Sequence, residues 1–121
     1  MARPKRKQTN QEVADELFSK IIRSKGFCER CGKKENLQCA HILSRSYRQV
    51  RWDFGNAFCL CNGCHVYFTH HPIEFEEFVI TKIGQNAYQT LRKRARDYKK
   101  IDYKAVIARL CQRWGEISKV P

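Results

Sequence analysis

The sequence has few acidic residues, and this shortage leaves it strongly basic. There are 12 Asp and Glu against 24 Lys and Arg in 121 residues, so the formal net charge is +12. A chain this basic is not typical of an ordinary metabolic enzyme. The charge instead favours a polyanion as the partner.

Long apolar segments are also missing. No apolar run approaches the roughly 18 residues of a membrane span, and charged residues follow Met1 where a signal peptide would have its apolar core. We therefore expect a soluble, cytoplasmic protein. The length leaves room for one compact domain, because domains commonly run to about 100–150 residues. No internal repeat indicates an array.

Seven cysteines are the most unusual feature that is present. The odd count and the lack of a secretion signal argue against a disulfide framework, and in a reducing compartment paired cysteines favour a metal site. With 42% hydrophobic residues the chain has enough apolar side chains for a core. Composition therefore predicts a small, folded, metal-stapled domain that binds a polyanion.

The chain divides into a short arm and one domain. Residues 1–8 form a basic run without periodicity, either a solvated tail or a phosphate-binding arm, and residues 9–121 form the domain. Thr9 and Glu12 have capping-box spacing and precede a helical apolar pattern that ends at Gly26. We expect this helix to cover the metal core.

The rest of the domain combines a hairpin with helices. Residues 37–43 and 57–60 suit two strands joined by a long polar loop. A helix then begins near Asn62, and Pro72 starts another. A shorter helix follows Gly84, and a last one begins at Asp102. The pattern predicts a small α+β fold whose hairpin is flanked by N- and C-terminal helices.

Two C-x-x-C knuckles give the strongest signal. They supply four thiolates, enough for a tetrahedral structural zinc site: Cys28, Cys31, Cys61 and Cys64. Cys59, two residues before Cys61, is a competing ligand, but a C-x-C pair chelates less readily than a C-x-x-C pair. Cys39 and Cys111 are expected to be ordinary buried side chains.

Between and after the knuckles, the chain carries His41, Asn56 and His65, in the order His, Asn, His. With the knuckles, this order resembles the HNH (ββα-metal) endonucleases, in the branch held by a four-cysteine zinc site. The resemblance covers roughly residues 28–71. It implies a ββα-metal core over this region and a C-terminal helical extension over residues 72–121.

The resemblance also implies roles for the three residues. His41 would be the general base that activates water, Asn56 would hold the loop and imidazole in position, and His65 would bind the catalytic metal. Phosphodiester hydrolysis by one imidazole and one divalent ion agrees with this assignment. Imidazole suits Mn²⁺, Ni²⁺ or Zn²⁺ better than Mg²⁺, although water and phosphate ligands could let Mg²⁺ work.

Two positions depart from the family pattern. Ala40 stands before the base, where the family often has an acidic residue or a histidine, and Thr69 stands where a second helix ligand is common. His70 is the tentative replacement ligand, although a helix advances about 100° per residue and would turn it away from His65. His71 fits a cap before Pro72 better than a ligand.

Arginines in the loop are candidates for DNA contacts. Arg45, Arg48 and Arg51 flank the predicted site and match the fork geometry that phosphates favour, although they could also be solvated. A second basic cluster, residues 93–100, is either a solvated helix face or a secondary DNA track. The net charge predicts salt-dependent, sequence-independent attraction to nucleic acid.

The sequence therefore predicts a metal-dependent DNA endonuclease or nickase that cuts phosphodiester bonds. A looser similarity to phage NinG-type recombination proteins, over residues 75–88, implies a phage or prophage protein in a bacterial host. The alternative is a zinc-ribbon DNA-binding or recombination accessory protein without cleavage activity, which Ala40 favours. An RNA-binding zinc protein fits the charge but not the order of His41, Asn56 and His65. A homodimer would account for cutting both strands.

Overall fold

In the computed structural model, which describes residues 6–118, α-helices surround a two-stranded antiparallel hairpin. The five α-helices and two strands of this region are α1 (Asn10–Arg23), β1 (Leu37–His41), β2 (Ala57–Cys61), α2 (Asn62–His70), α3 (Pro72–Ile83), α4 (Gln85–Ala95) and α5 (Tyr103–Ser118). Two 3-10 turns, Arg48–Val50 and Phe54–Asn56, lie in the loop between the strands. The prediction of a small α+β fold with a hairpin and flanking helices is confirmed.

The strands pair in a register that runs from Leu37 opposite Cys61 to His41 opposite Ala57. β1 ends at His41, two residues earlier than predicted. Beyond this point a side chain, that of Asn56, bonds the backbone of residue 43 in place of a strand partner. Its Oδ1 accepts the backbone N–H of Leu43 at 2.9 Å. The long loop therefore starts directly after His41.

Helices cover both faces of the hairpin. Phe58 and Leu60 belong to a core with α2, α3 and α4, in which Phe68 and Val79 are buried. A second core joins α1 and α5 to the other face, and its buried residues include Ala14, Phe18, Ala57, Cys59 and Leu110. All five residues of β2 are buried because the strand lies between these layers.

The position of α1 differs from the prediction. Three of the knuckle cysteines, Cys28, Cys61 and Cys64, belong to the core on the α2 side. α1 packs on the opposite face and against α5 instead of covering these cysteines. The apolar face of α1 is buried by packing against α5, whose Leu110 is fully buried.

Capping residues in the sequence mark the observed ends of the helices. Thr9 caps α1 by accepting the backbone N–H of Glu12 at 3.2 Å, as predicted. α1 ends at Arg23, before the left-handed Gly26 (φ 82°), because Ser24 already closes the last turn through its bond to Ile21 O. Asp102 Oδ1 accepts the N–H of Ala105 at 3.1 Å at the start of α5.

Residues 1–5 of the predicted arm lie outside the described part of the chain. Arg6, within it, pairs with Glu12 at 2.8 Å. Within residues 6–118, every helix is too short or too polar to cross a bilayer.

Candidate functional site

The two knuckles meet at the end of β2. The sulfur atoms of Cys28, Cys31, Cys61 and Cys64 all lie within 4.8 Å of one another, and those of Cys31 and Cys61 are 3.7 Å apart. This is a donor set that could hold a metal ion. The predicted grouping of these four cysteines is therefore confirmed.

Backbone geometry fixes each knuckle. Cys28 O accepts the N–H of Gly32 at 2.8 Å, and Gly32 adopts φ 81°, which a residue with a Cβ adopts at a cost. Cys61 is both the last residue of β2 and the N-cap of α2, where its sulfur accepts the N–H of Cys64 at 3.5 Å. The strand-to-helix junction thus delivers two thiols to the cluster.

The remaining cysteines lie outside the cluster. Cys39 and Cys59 face each other across the hairpin, and the pKa of each thiol is raised, chiefly by burial, to about 12 for Cys39. Cys111 is exposed on α5, contrary to the expectation that it is buried. None of the three is a member of the metal-binding group found in the described residues.

The pKa values of two clustered thiols, Cys28 and Cys64, are shifted in opposite directions. Burial opposes ionisation of Cys28, but backbone N–H groups, led by that of Cys31, lower its pKa to about 6. Burial raises the pKa of Cys64 to about 12, and hydrogen bonds with the other three thiols add to the effect. Cys28 is therefore the more readily ionised of the two, and a bound cation would favour the thiolate form of Cys64.

A cleft of about 620 Å³ along β1 contains both predicted histidines. We call it the histidine cleft. Its lining residues are Asp15, Ser19, Arg23, Leu37, Gln38, Cys39, His41, Arg45 and His65. α1 forms one wall, β1 the floor, and α2 contributes His65.

His41 has one ring nitrogen committed to the loop. Its Nε2 lies 2.9 Å from the backbone oxygen of Arg51, and because a carbonyl only accepts, Nε2 must carry the proton. Nδ1 is then the nitrogen with a lone pair. Burial lowers the pKa of His41, and the charges of Arg45 and Arg51 act in the same direction although the bond to Arg51 O opposes them. The neutral, basic form is therefore favoured.

His65 is oriented by a side-chain relay. Its Nδ1 lies 2.7 Å from Gln38 Oε1, and Gln38 Nε2 donates to Asn62 Oδ1 at 3.1 Å. An amide oxygen that accepts Nδ1–H leaves the lone pair on Nε2. Metal-bound histidines commonly donate their other N–H to such an oxygen.

Asn56 is fully buried and bonds only backbone groups of the loop. It accepts from Leu43 N–H and donates to Leu43 O at 3.3 Å and Val50 O at 3.0 Å. Arg51, whose carbonyl oxygen accepts from His41, directly follows Val50. Asn56 thus holds the loop on which His41 depends, without a hydrogen bond to the imidazole.

The two positions that depart from the HNH pattern, Ala40 and Thr69, supply no further ligand here, and the tentative ligand His70 does not line the cleft. Ala40 is buried, and the hydroxyl of Thr69 donates to His65 O at 2.8 Å. His70 is exposed at the end of α2 and does not line the histidine cleft. His71 caps the helix, as expected, with its Nδ1 2.7 Å from Tyr67 O.

The three loop arginines have different surroundings. Arg45 is exposed and lines the histidine cleft, and Arg48 is exposed in a separate groove. Arg51 is buried, and its guanidinium donates to both carboxylate oxygens of Asp15. Arg51 was predicted to contact DNA, but the structure commits its guanidinium to Asp15.

Two residues of the site were not singled out from the sequence. Gln38 is a polar residue inside a short apolar strand, and Asp15 is an acidic residue three positions before Phe18 on the buried side of α1. Polar residues within apolar patterns were the only signal for them. Their partners, His65 and Arg51, are 27 and 36 positions away in sequence.

Comparison of the chain with protein-family profiles, curated proteins and solved structures finds no match.

Proposed function

We propose that the chain is a small metal-dependent DNA endonuclease or nickase of the HNH (ββα-metal) type. The observation that supports this most is the shared cleft: β1 and α2 bring His41 and His65 to one cavity, each with a single ring nitrogen committed to an oxygen. The consecutive order β1, β2, α2 agrees with a ββα core.

His41 is the proposed general base. Hydrolysis of a phosphodiester needs a group that takes a proton from water, and a neutral imidazole is suited to this near pH 7. The bond from Nε2 to Arg51 O fixes the ring and assigns the proton acceptor to Nδ1. Burial lowers the pKa of His41 and so favours the neutral ring.

His65 is the proposed protein ligand of the catalytic cation through Nε2. Such a cation would stabilise negative charge on the phosphate and leaving oxygen. Asp15 shares the cleft, but both of its oxygens already accept N–H groups of Arg51 and Trp52. With one imidazole the site fits a weakly held Mn²⁺, Ni²⁺, Zn²⁺ or Mg²⁺ that takes its other ligands from water and phosphate.

Zinc is the proposed occupant of the four-cysteine cluster, as a structural ion. Four thiolates in two C-x-x-C knuckles are a typical tetrahedral zinc set. Zn²⁺ with four thiolates carries two net negative charges, and the guanidinium of Arg30, 3.6 Å from Cys64 Sγ, would partly offset them. The site closes the junction of β2 with α2, which carries His65.

DNA is the proposed substrate because of the charge of the chain. Arg45, at the mouth of the same cleft, is the arginine best placed to contact the phosphate undergoing hydrolysis. The net charge of +12 would draw a duplex to this surface without regard to its sequence.

A zinc-dependent DNA-binding protein without cleavage activity is the second candidate. The observation that favours it is the absence of a second catalytic ligand at the predicted positions, since Ala40 is apolar and the Thr69 hydroxyl is engaged. In that case the cysteine cluster would stabilise the fold, the basic surface would bind DNA, and the histidine cleft would have no catalytic role.

Plasmid nicking separates the two candidates. We expect the zinc-loaded protein to convert supercoiled plasmid to open circles with added Mn²⁺, Ni²⁺ or Mg²⁺, and His41→Ala to lose about 10²- to 10⁴-fold in rate. His71→Ala, which removes an exposed histidine outside the cleft, is the matched control and should nick normally. A gel shift without open circles would support the binding protein, and equal nicking by His41→Ala would refute the mechanism.

A further inference from the structure

A second cleft carries cations and tyrosines that the proposed hydrolysis does not use. It has a volume of about 560 Å³, and we call it the basic groove. Its lining residues are Ser46, Arg48, Gln49, Tyr98, Lys99, Lys100, Ile101 and Tyr103. The loop between the strands forms one wall, and the segment that leads into α5 forms the other.

Contacts made by the lining residues themselves fix both walls of the groove. Gln49 Nε2 donates to the backbone oxygen of Lys99 at 2.6 Å and so ties the two walls together. The ring of Tyr103 packs edge-on against Trp52, with centroids 5.5 Å apart. The groove is therefore a property of the folded chain and not of one surface side chain.

The charge that faces the groove is positive. Arg94 and Arg109 nearby are already engaged, with Asp53 at 2.5 Å and with Trp52 O at 2.7 Å. Lys99 pairs with Asp97 at 3.3 Å, but both side chains are more than 60% exposed, so this pair is weak. Of the residues that line the groove, Lys99, Lys100 and Arg48 remain to meet a polyanion.

Tyr98 is the most exposed large aromatic side chain of the described residues, at 78%. An aromatic ring left in water beside lysines suits a nucleobase, because each base has a face that can stack on it. A base in a duplex is already stacked and paired. Tyr98 therefore favours an unpaired base over a double helix.

We propose that the basic groove binds a single-stranded stretch of DNA, with Tyr98 stacking on a base and Arg48, Lys99 and Lys100 contacting phosphates. The same loop presents Arg45 to the histidine cleft and Arg48 to the groove, so one strand can engage both. Junctions of duplex and single strand are then the preferred ligands. The choice of DNA over RNA rests on the proposed function.

Fluorescence anisotropy tests the groove directly. The probes are a labelled DNA single strand of about 12 nucleotides, a blunt duplex of the same length and the matching RNA strand, with zinc-loaded protein and no added catalytic cation. We expect Tyr98→Ala to weaken binding of the DNA single strand about 5- to 150-fold, with a much smaller effect on the duplex. Tyr98→Phe should bind as wild type does.

The salt dependence supplies a second measurement. The double variant Lys99→Ala/Lys100→Ala should flatten the slope of log K against log salt by about 0.7 for each phosphate that the lysines no longer neutralise. Its control, Lys33→Ala/Lys34→Ala, removes the same charge from two exposed positions just after the Cys28–Cys31 knuckle and should leave single-strand affinity closer to wild type.

Three outcomes would overturn the proposal: unchanged single-strand binding by Tyr98→Ala, equal losses on duplex and single strand, or tighter binding of RNA. These binding measurements are independent of plasmid nicking. Single-strand binding that depends on Tyr98, in a protein that does not nick, would support the groove and refute the nuclease.

Discussion

The carboxylate of Asp15 accepts two hydrogen bonds from the guanidinium of Arg51, at 2.6 Å and 3.0 Å. Burial alone would raise the pKa of Asp15, but the bonds from Arg51 and from Trp52 lower it, so the carboxylate form of Asp15 is favoured. The backbone oxygen of the same Arg51 accepts from His41. Arg51 therefore links α1 to the proposed base, because its side chain binds Asp15 of α1 and its backbone oxygen accepts from His41.

Asp15→Ala should weaken both the fold and the proposed activity. The change leaves the buried Arg51 guanidinium without its partner, which should lower the free energy of unfolding by about 2–4 kcal/mol. Nicking under conditions where the variant is folded should also fall, because the loop that orients His41 is released. Denaturant unfolding and plasmid nicking measure the two effects, and Glu116→Gln, which removes only an exposed ion pair with Arg113, is the stability control. A variant as stable as wild type would contradict this role of Asp15.

The acid limb of the nicking profile should lie below pH 6.5. His41 must be neutral to accept a proton, and burial and nearby arginines lower its pKa from 6.5, so activity should persist as the pH falls below that value. The measurement is kcat/KM between pH 5 and pH 8. An acid limb centred above 6.5 would argue against His41 as the base.

Arg45→Ala should move that limb toward higher pH. The Arg45 charge lowers the pKa of His41, so its removal stabilises the protonated ring and raises the pKa. Arg48→Ala is the matched control, because Arg48 lies in the basic groove. A shift of the limb to lower pH in Arg45→Ala would contradict the electrostatic argument.

Local patterns predicted the elements of the fold because each depends on nearby residues. The capping pair Thr9 and Glu12, Pro72 at the start of α3 and the break between two helices at Gly84 are all found as predicted. The face on which α1 packs was not predictable. Its apolar stripe fits either side of a hairpin, and the choice depends on the complementary stripe of α5 far along the chain.

The candidate site, like the fold, was only partly predictable from the sequence. Spacing was enough to group the four cysteines, because C-x-x-C turns bring their own thiols together. It could not show that Arg51 turns toward Asp15 or that Gln38 supports His65, since these contacts exist only after α1 and α2 have packed on opposite sides of β1. Such pairings depend on tertiary structure and leave little trace in a single sequence.

Gln38→Leu should weaken the proposed catalytic metal site without disturbing the cysteine cluster. The change removes the oxygen that accepts His65 Nδ1–H, and loss of such a partner typically costs about 10- to 100-fold in metal affinity. The Mn²⁺ concentration for half-maximal nicking should rise accordingly. Gln38→Glu keeps an accepting oxygen and adds a negative charge, so it should bind Mn²⁺ at least as tightly as wild type. An unchanged value in Gln38→Leu would refute the relay.

Metal content should distinguish the clustered cysteines from the others. We expect one zinc per chain, and Cys31→Ser should lose most of it because one of four thiolates is replaced by a poorer ligand. Binding at a free zinc concentration about a thousand times Kd stabilises a fold by about 4 kcal/mol, so the variant and the chelator-treated wild type should unfold at similarly reduced denaturant concentrations. Cys111→Ser changes an exposed cysteine outside the cluster and should match wild type in both measurements. Full zinc retention by Cys31→Ser would show that the cluster is not a four-thiolate zinc site.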